Sequence, residues 1–144
     1  MIDSFTGEFR WLSNFYPSPI KYEGIIYPSV EHAYQAAKVL DRSKRKQFLH
    51  IKPGEAKRLG KRVRLREDWE KVRFGIMEDL LRLKFTRHAD LKEKLLETGN
   101  EELIEGNNWS DFEWGVCNGR GKNHLGRLLM KVRDSLRNGA ATDE

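Results

Sequence analysis

The chain has 144 residues, 38% hydrophobic and 34% charged, with a net charge of +5 and a sequence pI near 9.4. Its length suits one domain that buries a core without staples, and a mean hydropathy of -0.73 with no long uncharged apolar run excludes a membrane span. A single cysteine, Cys117, excludes an internal disulfide; Met1-Ile2-Asp3-Ser4 does not open a secretion signal, so a cytoplasmic setting is expected by elimination.

Residues 5 to 28 are rich in aromatics, Gly and Pro, which predicts short strands with tight turns. A hairpin is expected to pair Ile20-Lys21-Tyr22 with Ile25-Ile26-Tyr27 across Glu23-Gly24. Ser29 is a natural N-cap, and Glu31 falls in the first turn, where the helix dipole favours a carboxylate. A helix continuing from there gathers Val30, Ala33, Ala37 and Leu40 on one side. Glu31, Tyr34, Gln35 and Lys38 gather on another, within roughly one-quarter to one-third of the circumference. Pro53 to Gly60 reads as a second helix, with Pro at its start and Gly at its end.

From Asp68 a longer helix is marked by Trp69, Val72, Ile76, Leu80 and Leu83, widened by Met77 and Leu81. Ala89 to Leu96 reads as another helix, and residues 100 to 123 as irregular. Leu125, Leu128, Leu129, Val132 and Leu136 mark a final amphipathic helix. The residues from Asn138 to Glu144 are expected to form a disordered tail. Together these elements predict an α+β fold, predominantly helical, as one compact domain over residues 1–137 with a small N-terminal β element.

Positive charge concentrates between Arg42 and Arg73: Lys44, Arg45, Lys46, Lys52, Lys57, Arg58, Lys61, Arg62, Arg64, Arg66 and Lys71. Such a run is either a solvated helix face or a patch that attracts the phosphates of a nucleotide or nucleic acid. In its strongest form it would make the chain a nucleic-acid-binding module without catalysis.

Two constellations bear chemistry. The strip of Glu31, Tyr34, Gln35 and Lys38 reads as a solvent face or, if buried, as a catalytic ridge. Burial would raise the carboxyl pKa for acid–base work and push the lysine toward its neutral, nucleophilic form. The second runs from Asn107 through Trp109, Asp111, Phe112 and Trp114-Gly115 to Gly119-Arg120-Gly121-Lys122-Asn123-His124. A Gly-rich loop opening onto a helix can cradle an anion, or be an ordinary surface loop. It is not a Walker A loop, since Val116 stands where Gly is required and Asn123 follows Lys122 in place of Ser or Thr. His32, His50, His88 and His124 have no metal spacing, so no metal is expected, and Cys117 has no evident catalytic partner.

Leu12-Ser13-Asn14-Phe15, followed by Tyr27-Pro28-Ser29-Val30-Glu31-His32-Ala33-Tyr34-Gln35-Ala36-Ala37-Lys38, resembles the NADAR family, also described as YbiA-like. Trp69-Glu70, Met77, Lys84-Phe85, Leu103-Ile104-Glu105, Asp111, Trp114-Gly115 and the run from Gly121 to Met130 follow in the family's order, so the resemblance extends from about Phe5 to Arg137. It implies hydrolysis of an N-glycoside without a cofactor. Two substrate classes are implied: phosphorylated ribosylamines of early riboflavin intermediates, and ADP-ribose joined to guanine, free or in nucleic acid.

Both classes link ribose to an exocyclic nitrogen, and such a bond breaks by either of two routes. Direct hydrolysis uses two carboxylates, Glu31 with Asp111 or Glu105. The covalent route opens the sugar to an imine that Lys38 captures as a Schiff base, with Glu31 as proton shuttle. Phe15, Tyr34 and Gln35 would then line or orient the sugar, and Asn14 and Asn123 would bond ribose or base edges. Trp114 with Gly115 would supply a stacking wall, and Gly121 a backbone approach to phosphate.

Overall fold

The computed structural model describes residues 1–139, so residues 140–144 of the expected disordered tail lie outside the described residues. The fold is α+β with helices predominating, as the sequence predicts. By internal contacts the chain divides into two compact units, Asn14–Arg87 and Met1–Ser13 with the chain from His88 onward.

In the Asn14–Arg87 unit, β1 (Ile20–Tyr22) and β2 (Ile25–Tyr27) form the expected antiparallel hairpin, with Ile20 opposite Tyr27 and Tyr22 opposite Ile25. Its turn takes positive φ at both Glu23 (48°) and Gly24 (87°), the geometry that matches the strands' own twist. Helix α1 (Val30–Ala36) starts at the expected cap, with the Ser29 hydroxyl accepting from the His32 N–H. It stops earlier than the periodicity suggests. Ala37 is its C-cap, Lys38 lies in the turn beyond, and Leu40, expected on the apolar side, is 65% exposed.

Helix α2 (Arg42–Lys46) was not foreseen; Asp41 caps it, accepting from the Ser43 and Lys44 N–H groups. Helix α3 (Pro53–Gly60) has the expected bounds and packs against α1. Helix α4 (Trp69–Arg87) buries Ile76, Met77, Leu80, Leu81, Lys84 and Phe85. Val72 and Leu83, expected on that face, are half-buried: the stripe follows rows four residues apart, 76–80–84 and 77–81–85.

The second unit opens with a 3₁₀ helix, Gly7–Leu12, where strands were expected; Gly7 enters it at positive φ, and Trp11 and Leu12 are both buried. Helices α5 (Ala89–Glu97) and α6 (His124–Arg137) pack on each other; α5 buries Leu91 and Leu95, and α6 a face that includes Leu129, Val132 and Leu136. Between them the expected irregular segment carries one short parallel pairing, β3 (Gly106–Asn107) with β4 (Val116–Cys117). No helix among the described residues is long and apolar enough to cross a membrane.

Candidate active site

Every residue of α1 is buried, which removes the solvent-face reading of the strip: Glu31 is 7% exposed, Tyr34 5% and Gln35 6%. Apolar Val30, Ala33 and Ala36 seat the helix. On one ridge the Gln35 Nε2 donates to Glu31 Oε2 at 2.8 Å, and the Glu31 N–H donates to the Asn14 carbonyl at 3.0 Å. His32 is structural. Its Nε2 faces the Ile51 carbonyl at 2.6 Å and must donate, leaving Nδ1 to meet the Ser29 hydroxyl at 2.7 Å.

Lys38 stands one residue past the cap, half-buried, with Nζ donating to the Gly60 carbonyl at 3.3 Å. Burial holds its amine below the ordinary lysine value; the Glu31 charge opposes this, while Lys61, Arg73 and Lys57 reinforce it. A desolvated amine among like charges is the setting that makes lysine nucleophilic. The Tyr34 phenol is pushed up by burial and restrained by Arg73, which bonds it. Its ring packs on Trp69, with centroids 5.1 Å apart. Trp69 and Arg73 are not among the candidate site residues that the sequence offers; Trp69 stands there as a core position and as part of the family resemblance.

Two buried oxygens, Asn14 Oδ1 and Gln35 Oε1, have no hydrogen-bond partner among the described residues; Gln35 Oε1 is turned against Gly60 of α3. Phe15 is 41% exposed beside Asn14 in sequence.

The remaining sequence-derived residues belong to the other unit, where most hold a loop in shape. Asp111 Oδ1 accepts from the Glu113 and Trp114 N–H groups, and Asn107 Nδ2 donates to the Asp111 carbonyl and to Glu105 Oε1. The Asn123 amide is engaged at both ends, with Oδ1 accepting from the Glu105 N–H and Nδ2 donating to the Leu103 carbonyl. A Cβ on Gly115 would sit 2.1 Å from the Glu105 carbonyl oxygen, and one on Gly121 2.1 Å from that of Gly115. These glycines are therefore required by close backbone packing. The Trp114 ring meets His124 edge-on at 6.2 Å. Among the described residues no three His, Cys, Asp or Glu side chains are placed to hold a metal ion.

Comparison with known proteins agrees with the resemblance. The NADAR domain matches residues 4–137. N-glycosidase YbiA of Escherichia coli is 41% identical over 128 residues, covering 86% of this chain and 79% of YbiA. Its NMR structure superposes with a TM-score of 0.83 at 36% identity, over 96% of this chain and 88% of that one. N-glycosidase Npun_R5314 of Nostoc punctiforme is 41% identical over 134 residues, covering 88% of this chain and 85% of that protein. A riboflavin biosynthesis protein of Vibrio vulnificus, VVA0006, is 38% identical over 130 residues, which are 88% of this chain but only 35% of that protein.

Proposed function

We propose a reaction from one premise: this chain belongs to the NADAR family. Its relatives are named N-glycosidases, and the chain is a hydrolase of that kind. The bond we assign to it joins ribose C1 to an exocyclic nitrogen of a phosphorylated substrate. The carrying observation is that α1 and its C-terminal turn bring together a buried carboxylate, Glu31, and an amine of lowered pKa, Lys38.

That pairing favours the covalent route, which needs only these two groups. Ring opening places an imine between C1 and the departing nitrogen. Lys38 Nζ adds to C1, and Glu31 carries the proton from Nζ to the departing nitrogen, which leaves as an amine. Water then adds to C1 of the Lys38 iminium, and collapse frees the aldehyde sugar and the lysine. Direct hydrolysis asks more, because Asp111 and Glu105 already support the loop that carries them. Gln35, bonded to Glu31, and Tyr34 orient the sugar, and Asn14 meets ribose or base edges.

The substrate is either a riboflavin-pathway ribosylamine phosphate, the chemistry suggested by the name of the Vibrio relative, or ADP-ribosyl guanine. A hydrolysis assay offering ADP-ribosylated guanine in a short DNA and the phosphorylated pyrimidinone ribosylamine decides between them. Release of ADP-ribose or of ribose phosphate, lost in Glu31→Gln by about 10²-fold or more, is the expected result. Full activity in Glu31→Gln would refute the role of Glu31.

A second reading, binding to nucleic acid without turnover, draws support from the exposed basic residues. Lys44, Lys46, Lys52, Arg58, Lys61, Arg62 and Arg64 have no carboxylate partner among the described residues. Arg45 leaves that patch: it is buried and bonded to Glu23 at 2.6 Å and to the Val39 carbonyl at 2.8 Å. Arg66 leaves it too, forked onto Asp68.

A further inference from the structure

The turn that carries Lys38 is gripped from a distant point in the sequence. The Arg66 N–H donates to the Lys38 carbonyl at 2.8 Å, and Arg66 Nη1 donates to the Ala37 carbonyl at 3.4 Å. The guanidinium is itself fixed, with Nε on Asp68 Oδ1 at 2.7 Å and Nη2 on Asp68 Oδ2 at 3.2 Å. This two-point fork gives a cation a set orientation that a lone ammonium would not have.

The same short segment starts α4. The Trp69 N–H donates to the Arg66 carbonyl, and the Asp68 carbonyl accepts from the Lys71 and Val72 N–H groups. Trp69 then packs on Tyr34. Residues 66–69 therefore hold the strip at two places, the Tyr34 ring and the backbone of residues 37 and 38. Nothing in the local sequence ends α1 where it ends, since Ala36, Ala37 and Lys38 all favour helix. The carbonyls of residues 37 and 38, which a longer helix would use internally, go instead to Arg66.

We infer that Arg66, oriented by Asp68, is a positioning residue that turns the chain out of α1 at Lys38 and keeps its amine beside Glu31. The inference rests on Lys38 being the nucleophile. The Arg66 side chain acts through the Ala37 carbonyl, beside the bond that its backbone N–H makes to the Lys38 carbonyl. Loosening the turn lets the amine swing toward water and regain its ordinary basicity.

The test is borohydride trapping of the sugar adduct as a function of pH, with steady-state kinetics, for wild type, Arg66→Gln, Arg66→Lys and Asp68→Asn. Arg66→Gln is expected to trap about tenfold more slowly or worse, with its rising limb displaced to higher pH and KM nearly unchanged. Arg66→Lys is expected not to rescue, and the half-exposed Asp68→Asn to show a milder change in the same direction. Asp68→Asn decides the matter if Arg66→Gln does not fold. Wild-type trapping rates and pH midpoints in the folded variants would overturn the inference. Trapping that persists in Lys38→Arg would instead overturn Lys38 as nucleophile, whatever Arg66 does.

Discussion

Lys84 stands in the buried stripe of α4 with no exposed surface, near the rings of Tyr16 (5.8 Å) and Phe85 (5.1 Å). Burial pushes its amine down to about 7 from an ordinary 10.5. Between those values the unfolded chain binds one proton more than the folded one, so stability rises with pH across that window. Below about 7 both states are protonated and the cost of the buried cation is felt in full. Lys84→Met should remove this dependence. Relative to the variant, wild type should gain on the order of 3 kcal/mol between about pH 6.5 and about pH 9.5 in urea unfolding. A constant difference between the two proteins would contradict it. Tyr34 makes a contrasting case: its raised phenol stays protonated throughout the working range and serves as a hydrogen-bonding group, not a base. Tyr34→Phe should lower kcat/KM about tenfold through lost orientation while leaving the shape of the pH profile unchanged.

Between elements, the approach of α3 to α1 is set by one glycine. A Cβ on Gly60 would lie 1.8 Å from Gln35 Oε1 and 2.7 Å from Gln35 Cδ. Gly60→Ala should displace the Gln35 carboxamide from Glu31 before it disturbs the backbone. Activity should therefore fall about tenfold or more while the melting temperature shifts by only a few degrees. A folded Gly60→Ala with wild-type turnover would contradict this. Elements whose signals are local were legible beforehand. The hairpin follows from Glu23-Gly24 between two apolar triplets, and α3 from its Pro and Gly ends. The end of α1 was not, because it is imposed by Arg66, 28 residues beyond Lys38. Helix α2 was missed because its five residues have no apolar period, leaving the Asp41 cap as its only signal.

For the chain as a whole, the strip on α1 was readable because four polar residues at helical spacing are informative even before their burial is known. Its tertiary partners Gly60, Arg66, Trp69 and Arg73 were not, since pattern along a helix says nothing about what packs across it. The long basic run was overcounted for the same reason: sequence cannot separate the buried Arg45 from the exposed Lys44 and Lys46 on either side. The exposed cations should give weak, non-specific binding to unmodified duplex that fades as salt rises, and Lys61→Ala with Arg62→Ala should flatten that slope by about one to two. Salt-independent binding, or an unchanged slope, would remove the patch from the account. A covalent sugar on Lys38 is sought by reducing the enzyme–substrate mixture with borohydride and mapping the modified peptide by mass. A reduced sugar adduct on Lys38, absent in Lys38→Arg, is expected together with loss of turnover in that variant. Turnover near wild type in Lys38→Arg, or an adduct mapped to another lysine, would contradict it.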